Sequence, residues 1–315
     1  MIGFLARRLL SALPVLLVVS LVSFVIIAIV PGDVTAEIAG ADSTEAQRAE
    51  IRERLGLDKP MVEQALRWYG RLLQGDLGQS YLLNRPVTEA VLERLPVTLS
   101  LAGLALVMAV ALGVLLGILA AIRHGTWLDQ GSMSLALFGL SIPDFWFGLI
   151  LIVVFSVQLG WLPTGGYVPA SESLVGWARS MTLPALALAI TQMGVVARMT
   201  RASMLEVMGE DYIRTARAKG MRRHVVVFKH ALRNALIPIV TVVGVMTGVL
   251  LGGAVVIESV FSLPGVGRLI IGAIQRRDYP IIQGGLLITA ATFVFVNILV
   301  DLAYGWLDPR VRNDG

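Results

Sequence analysis

The chain contains no cysteine. That absence excludes both a disulfide framework and a thiolate metal site. Charge is scarce too: 15% of the 315 residues are Asp, Glu, Lys or Arg, where a soluble domain carries about 25%. Lysine occurs only at Lys59, Lys219 and Lys229, and none of the three follows a glycine. No Gly-x-x-x-x-Gly-Lys-Ser/Thr loop is therefore available to cradle nucleotide phosphates. His124, His224 and His230 are the only histidines. They share no ligand spacing, so no metal site is expected. Gly-x-Ser-x-Gly, His-Glu-x-x-His and a carboxylate pair with a histidine are all missing, and no enzyme chemistry is expected.

What fills the chain instead is apolar. Hydrophobic residues make up 56% of it and mean hydropathy is +0.76, which places it in a bilayer. A spanning helix needs about 20 apolar residues. Runs of that kind cover residues 9–30, 97–122, 132–157, 181–197, 235–257 and 281–304. The fold class expected is an all-α polytopic membrane protein with about six transmembrane helices. Arg7 and Arg8 place the N-terminus inside, and an even number of spans returns the tail, 305–315, to the same side. The first run exceeds the ~7–15 residue core of a cleaved signal, so it reads as a retained span.

Pro31-Gly32-Asp33 ends that span, and residues 31–96 read as an extracytoplasmic helical insert. A charged helix is predicted over 44–55. An amphipathic one is predicted over 61–73, with Val62, Ala65, Leu66, Tyr69, Leu72 and Leu73 on one side. The arginines here do not contradict an outside location, because loops of this length largely escape the positive-inside rule. The core, 97–304, carries several marked positions. Gly113 and Gly117 form a small-xxx-small pair suited to close helix contact. Pro143-Asp144 interrupts the third run, and two readings stay open: a functional intramembrane carboxylate, or the cap of a broken helix. Trp161, Tyr167 and Trp177, in an outside loop over 159–180, fit an interfacial aromatic belt. Gly244, Gly248 and Gly252 repeat every four residues. They serve either packing within one subunit or a subunit interface and translocation path. After Pro264-Gly265 and Gly267, the spacing of Val266, Leu269, Ile270, Ala273 and Ile274 opposite Arg268, Gln275, Arg276 and Arg277 predicts an interfacial helix. The carboxylates Asp144, Glu258 and Asp301 sit at span ends or breaks, which argues against an ion-coupled carrier.

The one strongly polar stretch between apolar runs is 198–233. It holds Arg198, Arg201, Arg214, Arg217, Lys219, Arg222, Arg223, Lys229 and Arg233 against Glu206, Glu210 and Asp211. A short helix is predicted inside it. Asp211 would be its N-cap, Tyr212, Ile213 and Ala216 its apolar face, and Gly220 its end. Two readings compete: a solvated positive-inside loop, or a dock for an external motor. The net charge of +4 follows from such topology, and no nucleic-acid partner is expected.

This stretch resembles the EAA loop of permease subunits of ATP-binding-cassette importers. The version over Tyr212 to Gly220, followed by His230-Ala231-Leu232-Arg233-Asn234-Ala235-Leu236-Ile237-Pro238, is similar to that of the dipeptide/oligopeptide (peptide/nickel) group. Against the general pattern, Ala216, Gly220 and Leu232 match, while Arg214, Thr215, His230 and Arg233 depart from it as that group does. Further likeness to the first permease of the group lies in Pro31-Gly32-Asp33, Leu55-Gly56-Leu57-Asp58, Gly75-Asp76-Leu77-Gly78 with Ser80, and Ser141-Ile142-Pro143 with Phe145-Trp146. It continues in Glu258, Phe261 to Gly267, Arg277-Asp278-Tyr279-Pro280 and Asp308-Pro309-Arg310.

The resemblance implies a type I importer permease in a bacterial cytoplasmic (inner) membrane, with both termini cytoplasmic. Its partners would be a second homologous permease, one or two ABC ATPase subunits, an extracytoplasmic substrate-binding protein and membrane lipid. ATP and Mg2+ would be held by the ATPases, with no cofactor on this chain. Asp211, Tyr212, Thr215, Ala216, Arg217, Lys219 and Gly220 would couple to an ATPase groove, Ala216 because a bulky residue would not fit there. Gly244, Gly248, Gly252, Glu258, Pro264, Gly265 and Gly267 are the candidates for the path or gate. Short peptides are the expected cargo. The alternatives are nickel chelates, glutathione or opine-like solutes on the same machinery, an ion-coupled secondary transporter, or a structural membrane protein.

Overall fold

Apolar runs in lipid must satisfy their own backbone groups, and helices do so within one segment. A computed structural model describes residues 2–29, 34–40 and 43–307. Among them every regular element is a helix, apart from an isolated bridge between Gln79 and Pro86. Pro31-Gly32-Asp33, Asp308-Pro309-Arg310, the rest of the tail and the Asp301 side chain lie outside the described residues.

The order is α1 Ile2–Ile29, α2 Val34–Ala39, α3 Glu45–Leu55, α4 Met61–Leu72, α5 Val87–Leu92, α6 Leu95–Ile122 and α7 Trp127–Ser141. Then come α8 Asp144–Leu151 with a π-helical continuation Ile152–Gln158, α9 Leu174–Gly209, α10 Asp211–Ala218 and α11 Arg223–Val225 with a π-helical continuation Val226–Ala231. The chain ends in α12 Leu232–Val260, α13 Val266–Gln275 and α14 Tyr279–Leu307. Among the described residues four stretches are long and apolar enough to cross a membrane: Val87–Ile122, Leu174–Gly209, Val242–Val260 and Tyr279–Val300. The pair Trp127–Ser141 and Asp144–Gln158, bent by 106°, makes a fifth if counted as one span. At the first predicted run stands α1, whose apolar stretch Leu10–Val25 is shorter than those four.

The chain divides into two compact units. The first comprises Met1–Val97 and Pro264–Phe295. Within it α3 starts on a reciprocal capping box between Thr44 and Gln47, which satisfies two backbone donors that a helix start leaves free. In α4 the predicted apolar side stays open at Val62, Leu66 and Leu73. The buried residue is Trp68, its ring tilted against that of Phe24 of α1 with centroids 5.9 Å apart, because a large ring removes the most apolar area from water. On α13 the predicted apolar face is covered by protein. Val266, Ile270 and Ala273 pack on Val87, Ala90 and Val91 of α5 and on Ile281 and Ile282 of α14. A spacing of three and four marks an apolar face but does not say whether lipid or protein covers it. Asp278 is buried after α13. It accepts from the Ser80 hydroxyl and from the backbone N–H of Tyr81 at 3.2 Å and Leu82 at 3.3 Å. Two separate sequence motifs, Gly75 to Ser80 and Arg277 to Pro280, thus form one corner.

The second unit comprises Thr98–Leu263 and Val296–Gly315. Its longest helix, α9, has 36 residues and reaches about 54 Å, well beyond a hydrocarbon core of about 30 Å. The loop expected over 159–180 is therefore shorter, since α9 already begins at Leu174. The Gly113/Gly117 pair behaves as its spacing predicts: a Cβ on Gly113 would lie 2.8 Å from the Met193 carbonyl oxygen, and one on Gly117 2.7 Å from that of Ala197. Only glycine lets α6 and α9 touch backbone to backbone there.

Candidate functional site

The basic stretch folds as three pieces: the end of α9, the short helix α10, and the π-helical lead into α12. Asp211 is the first helical residue of α10, and the N-cap position belongs to Glu210, whose side chain makes no capping bond. Asp211 instead takes an exposed ion pair with Arg214 at 3.2 Å. The helix ends as the sequence suggests. Gly220 adopts φ +73, its N–H reaches the Arg217 carbonyl at 2.9 Å, and the Met221 N–H reaches that of Ala216 at 3.3 Å. These two bonds form a Schellman motif, which calls for glycine at the left-handed position. Nothing lies within 4 Å of a Cβ at Gly220, so the backbone angle, and not space, is the constraint.

The faces of α10 separate cleanly. Ile213 and Ala216 are buried, in one cluster with Ile118 and Ala121 of α6, Met204 of α9, Val226, Val227 and Ala231 of the π-helical lead, and Ala235 of α12. Burial of Ile213 alone contributes roughly 1.5–3 kcal/mol. Ala216 is thus small because the chain's own core surrounds it. Tyr212 is exposed, yet its hydroxyl accepts from Asn234 Nδ2 at 2.7 Å, which ties α10 to α12. Arg223 donates to the Ile122 carbonyl at 3.0 Å and closes the end of α6. Asp211, Arg214, Thr215, Arg217 and Lys219 face outward. The result is an eight-residue helix seated on α6, α9 and α12 that presents a polar, mostly basic face.

Sequence reasoning missed the ion pair under this region. Asp129 of α7 is buried and receives Arg201 of α9 through two bonds, Nε at 2.7 Å and Nη2 at 2.8 Å. The Gly125 N–H, at 3.0 Å, and the His124 ring Nδ1, at 3.1 Å, also contact the carboxylate at Oδ2. An acidic residue five after the histidine of a short turn was the available signal.

The candidates for the path fall in separate places. Gly244 faces Val300 of α14: a Cβ there would lie 3.2 Å from Val300 Cγ1, which favours packing within the chain. Gly248 is half-buried. Gly252 is exposed, with nothing within 4 Å of a Cβ. The close approach on α12 is instead at Gly253, one residue off the stripe, where a Cβ would sit 2.9 Å from Leu188 Cδ1. Glu258 is fully buried and accepts from Thr98 Oγ1 at 2.6 Å. Pro264 is exposed and Gly265 and Gly267 are buried, all three in the first unit, whereas Glu258 lies in the second.

Comparison with known proteins gives the class to which this geometry belongs. Residues 113–313 match the family described as binding-protein-dependent transport system inner membrane component, and residues 1–102 match the N-terminal model of such components. The chain belongs to this family of membrane transport components. It is 48% identical over the whole of both chains to a Brucella abortus chain provisionally named as a peptide transport system permease protein. It is 43% identical to the di/tripeptide transport system permease protein DppB of Pseudomonas aeruginosa and 42% identical to the dipeptide transport system permease protein DppB of Escherichia coli K12, covering 99% of each chain in both cases. Two inward-facing structures of the MetNI methionine ABC transporter share the fold. Their TM-scores are 0.55 and 0.50 at 18% and 20% identity, over 69% and 67% of this chain and 95% and 90% of theirs. The fold is that of an ABC importer permease, and the chain is a multi-pass inner membrane protein.

Proposed function

We propose that this chain is one of two related permeases in an importer of short peptides. Two ATPases, holding the ATP and Mg2+, dock on the outward face of α10, and an extracytoplasmic binding protein delivers the cargo. Both termini and the basic stretch face the cytoplasm, as the arginine bias supports. The observation that carries this reading is the path from α10 into the membrane. The cluster beneath α10 includes Met204 of α9 and Ala235 of α12. The same two helices supply Gln192 and Val249 to a cavity beside the α7–α8 break. Those positions lie about 18 and 21 Å along the helices from the cluster. A pull on α10 therefore reaches the cavity wall through two continuous helices. The peptide cargo is supported by the names of the full-length relatives.

The test is uptake of labelled dialanine by the assembled transporter in proteoliposomes. Uptake that requires internal ATP and the binding protein is expected. Uptake driven by an ion gradient without ATP would contradict the proposal.

A further inference from the structure

The break between α7 and α8 opens a cavity of about 480 Å³, within the ~300–1,000 Å³ range of small-molecule sites. It lies at mid-helix on α9: Gln192 is eighteen residues from the start of that helix and seventeen from its end. Among the described residues Asp144 is the only charged side chain on its lining, which is otherwise apolar except for Ser141, Thr191 and Gln192. Among the described residues no Lys, Arg or His pairs with Asp144. One of its oxygens, Oδ1, accepts the Phe145 N–H at 2.8 Å. The other, Oδ2, has no partner among the described residues and lies 3.3 Å from where a Cβ on Gly253 would stand. Asp144 is thus the first residue of α8 and not its cap, which is Pro143 with no side-chain cap bond, and Gly253 keeps Oδ2 open.

Gln192 is the independent observation. Its side chain is 8% exposed, lines the cavity, and makes no hydrogen bond among the described residues. The amide opens onto the cavity rather than being sealed inside the chain, in a low-dielectric place that strengthens any hydrogen bond it makes. It is satisfied by a ligand that offers both a carbonyl and an N–H. Ser141 already donates to the Leu137 carbonyl at 2.9 Å, so its oxygen remains as an acceptor.

We propose that this cavity is a transit subsite for the amino end of a peptide. The α-ammonium donates to Asp144 Oδ2, and the first peptide group pairs with the Gln192 amide. The proposal rests on the peptide reading above and adds the binding site to it. No basic residue among the described ones lines the cavity, so the carboxylate end is left unbound and a C-terminal amide is expected to be accepted.

The experiment is photo-labelling of the purified permease–ATPase complex, without binding protein, by a diazirine-bearing dialanine analogue. Labels are expected within 140–144, 188–192 or 249–253. Unlabelled dialanine and its C-terminal amide should compete, and N-acetyl-dialanine should not. Asp144→Asn and Gln192→Leu should each reduce labelling about tenfold, the size of one lost charge-assisted or buried hydrogen bond, and Asp144→Glu should restore part of it. Membrane abundance of each variant controls for folding. If Asp144→Asn does not accumulate, Gln192→Leu and Gly253→Ala carry the same test. Labels elsewhere, equal competition by the N-acetyl form, or unchanged labelling in the variants would overturn the subsite. If the full transporter takes up no dialanine while a diazirine-bearing alkyl diamine labels the cavity and Asp144→Asn abolishes that labelling, the peptide reading falls and the cation subsite stands.

Discussion

Arg201 of α9 holds Asp129 of α7 through two parallel bonds of 2.7 and 2.8 Å, with the Asp129 side chain only 6% exposed. A residue counted with the basic stretch is thus already neutralised inside the chain. Removing one member strands the other in a poorly solvated place, at a cost of roughly 3–5 kcal/mol. Arg201→Ala is therefore expected to lower the thermal midpoint of the solubilised complex sharply. The double variant Arg201→Ala/Asp129→Ala should recover much of the loss. Equal midpoints for the two variants would show that the pair is not what stabilises this region.

The two faces of α10 give opposite phenotypes. Ala216→Leu overfills the cluster around Ile213 and Met204 and should destabilise the chain by about 1–3 kcal/mol, with or without its partners. Thr215→Trp lies on the open face. It should leave membrane abundance unchanged and abolish ATP-driven uptake. Abundance immunoblots paired with uptake assays separate the two effects.

At Gly220 the φ of +73 costs a non-glycine residue about 1–2 kcal/mol, and asparagine tolerates it best. Transport should fall in the order Gly, Asn, Ala, Trp at this position while insertion persists. Full uptake by Gly220→Trp would show that the Schellman end plays no part in coupling.

Alkaline pH probes the corner around Asp278. Burial, the largest cause, pushes the Tyr81 phenol from 10.0 up to about 12, with Asp278 and Tyr279 adding to the rise and Arg71 opposing it. Between those values the unfolded chain has lost a proton that the folded chain keeps. The stability that this neutral phenol contributes is present below pH 10 and lost as pH rises toward 12. Tyr81→Phe should flatten the fall in thermal midpoint over that window and leave neutral pH unaffected.

Much of this was legible in order along the chain. The apolar runs, the charged helix predicted over 44–55, the α10 helix with its glycine end, and the Gly113/Gly117 contact all follow from local spacing. What spacing could not supply was the identity of the surface on the other side. The apolar faces of α13 and α10 were visible, but their partners, α5 and α14 in one case and α6, α9 and α12 in the other, are set by long-range packing. The glycine stripe on α12 pointed one residue away from the contact at Gly253, because a helix turns about 100° per residue. Gln192 gave no signal at all: an amide in an apolar run is informative only once its neighbours are known to leave it unpaired.

The absence of cysteine from the natural chain permits a direct test of docking. Thr215→Cys, on the open face of α10, is treated in inverted and right-side-out membrane vesicles with a short bifunctional maleimide. A cross-link to an ATPase subunit that changes in yield with ATP is predicted, together with labelling by an impermeant maleimide only in inverted vesicles. Labelling from the right-side-out face, or the absence of any ATPase adduct in the assembled complex, would contradict docking on α10.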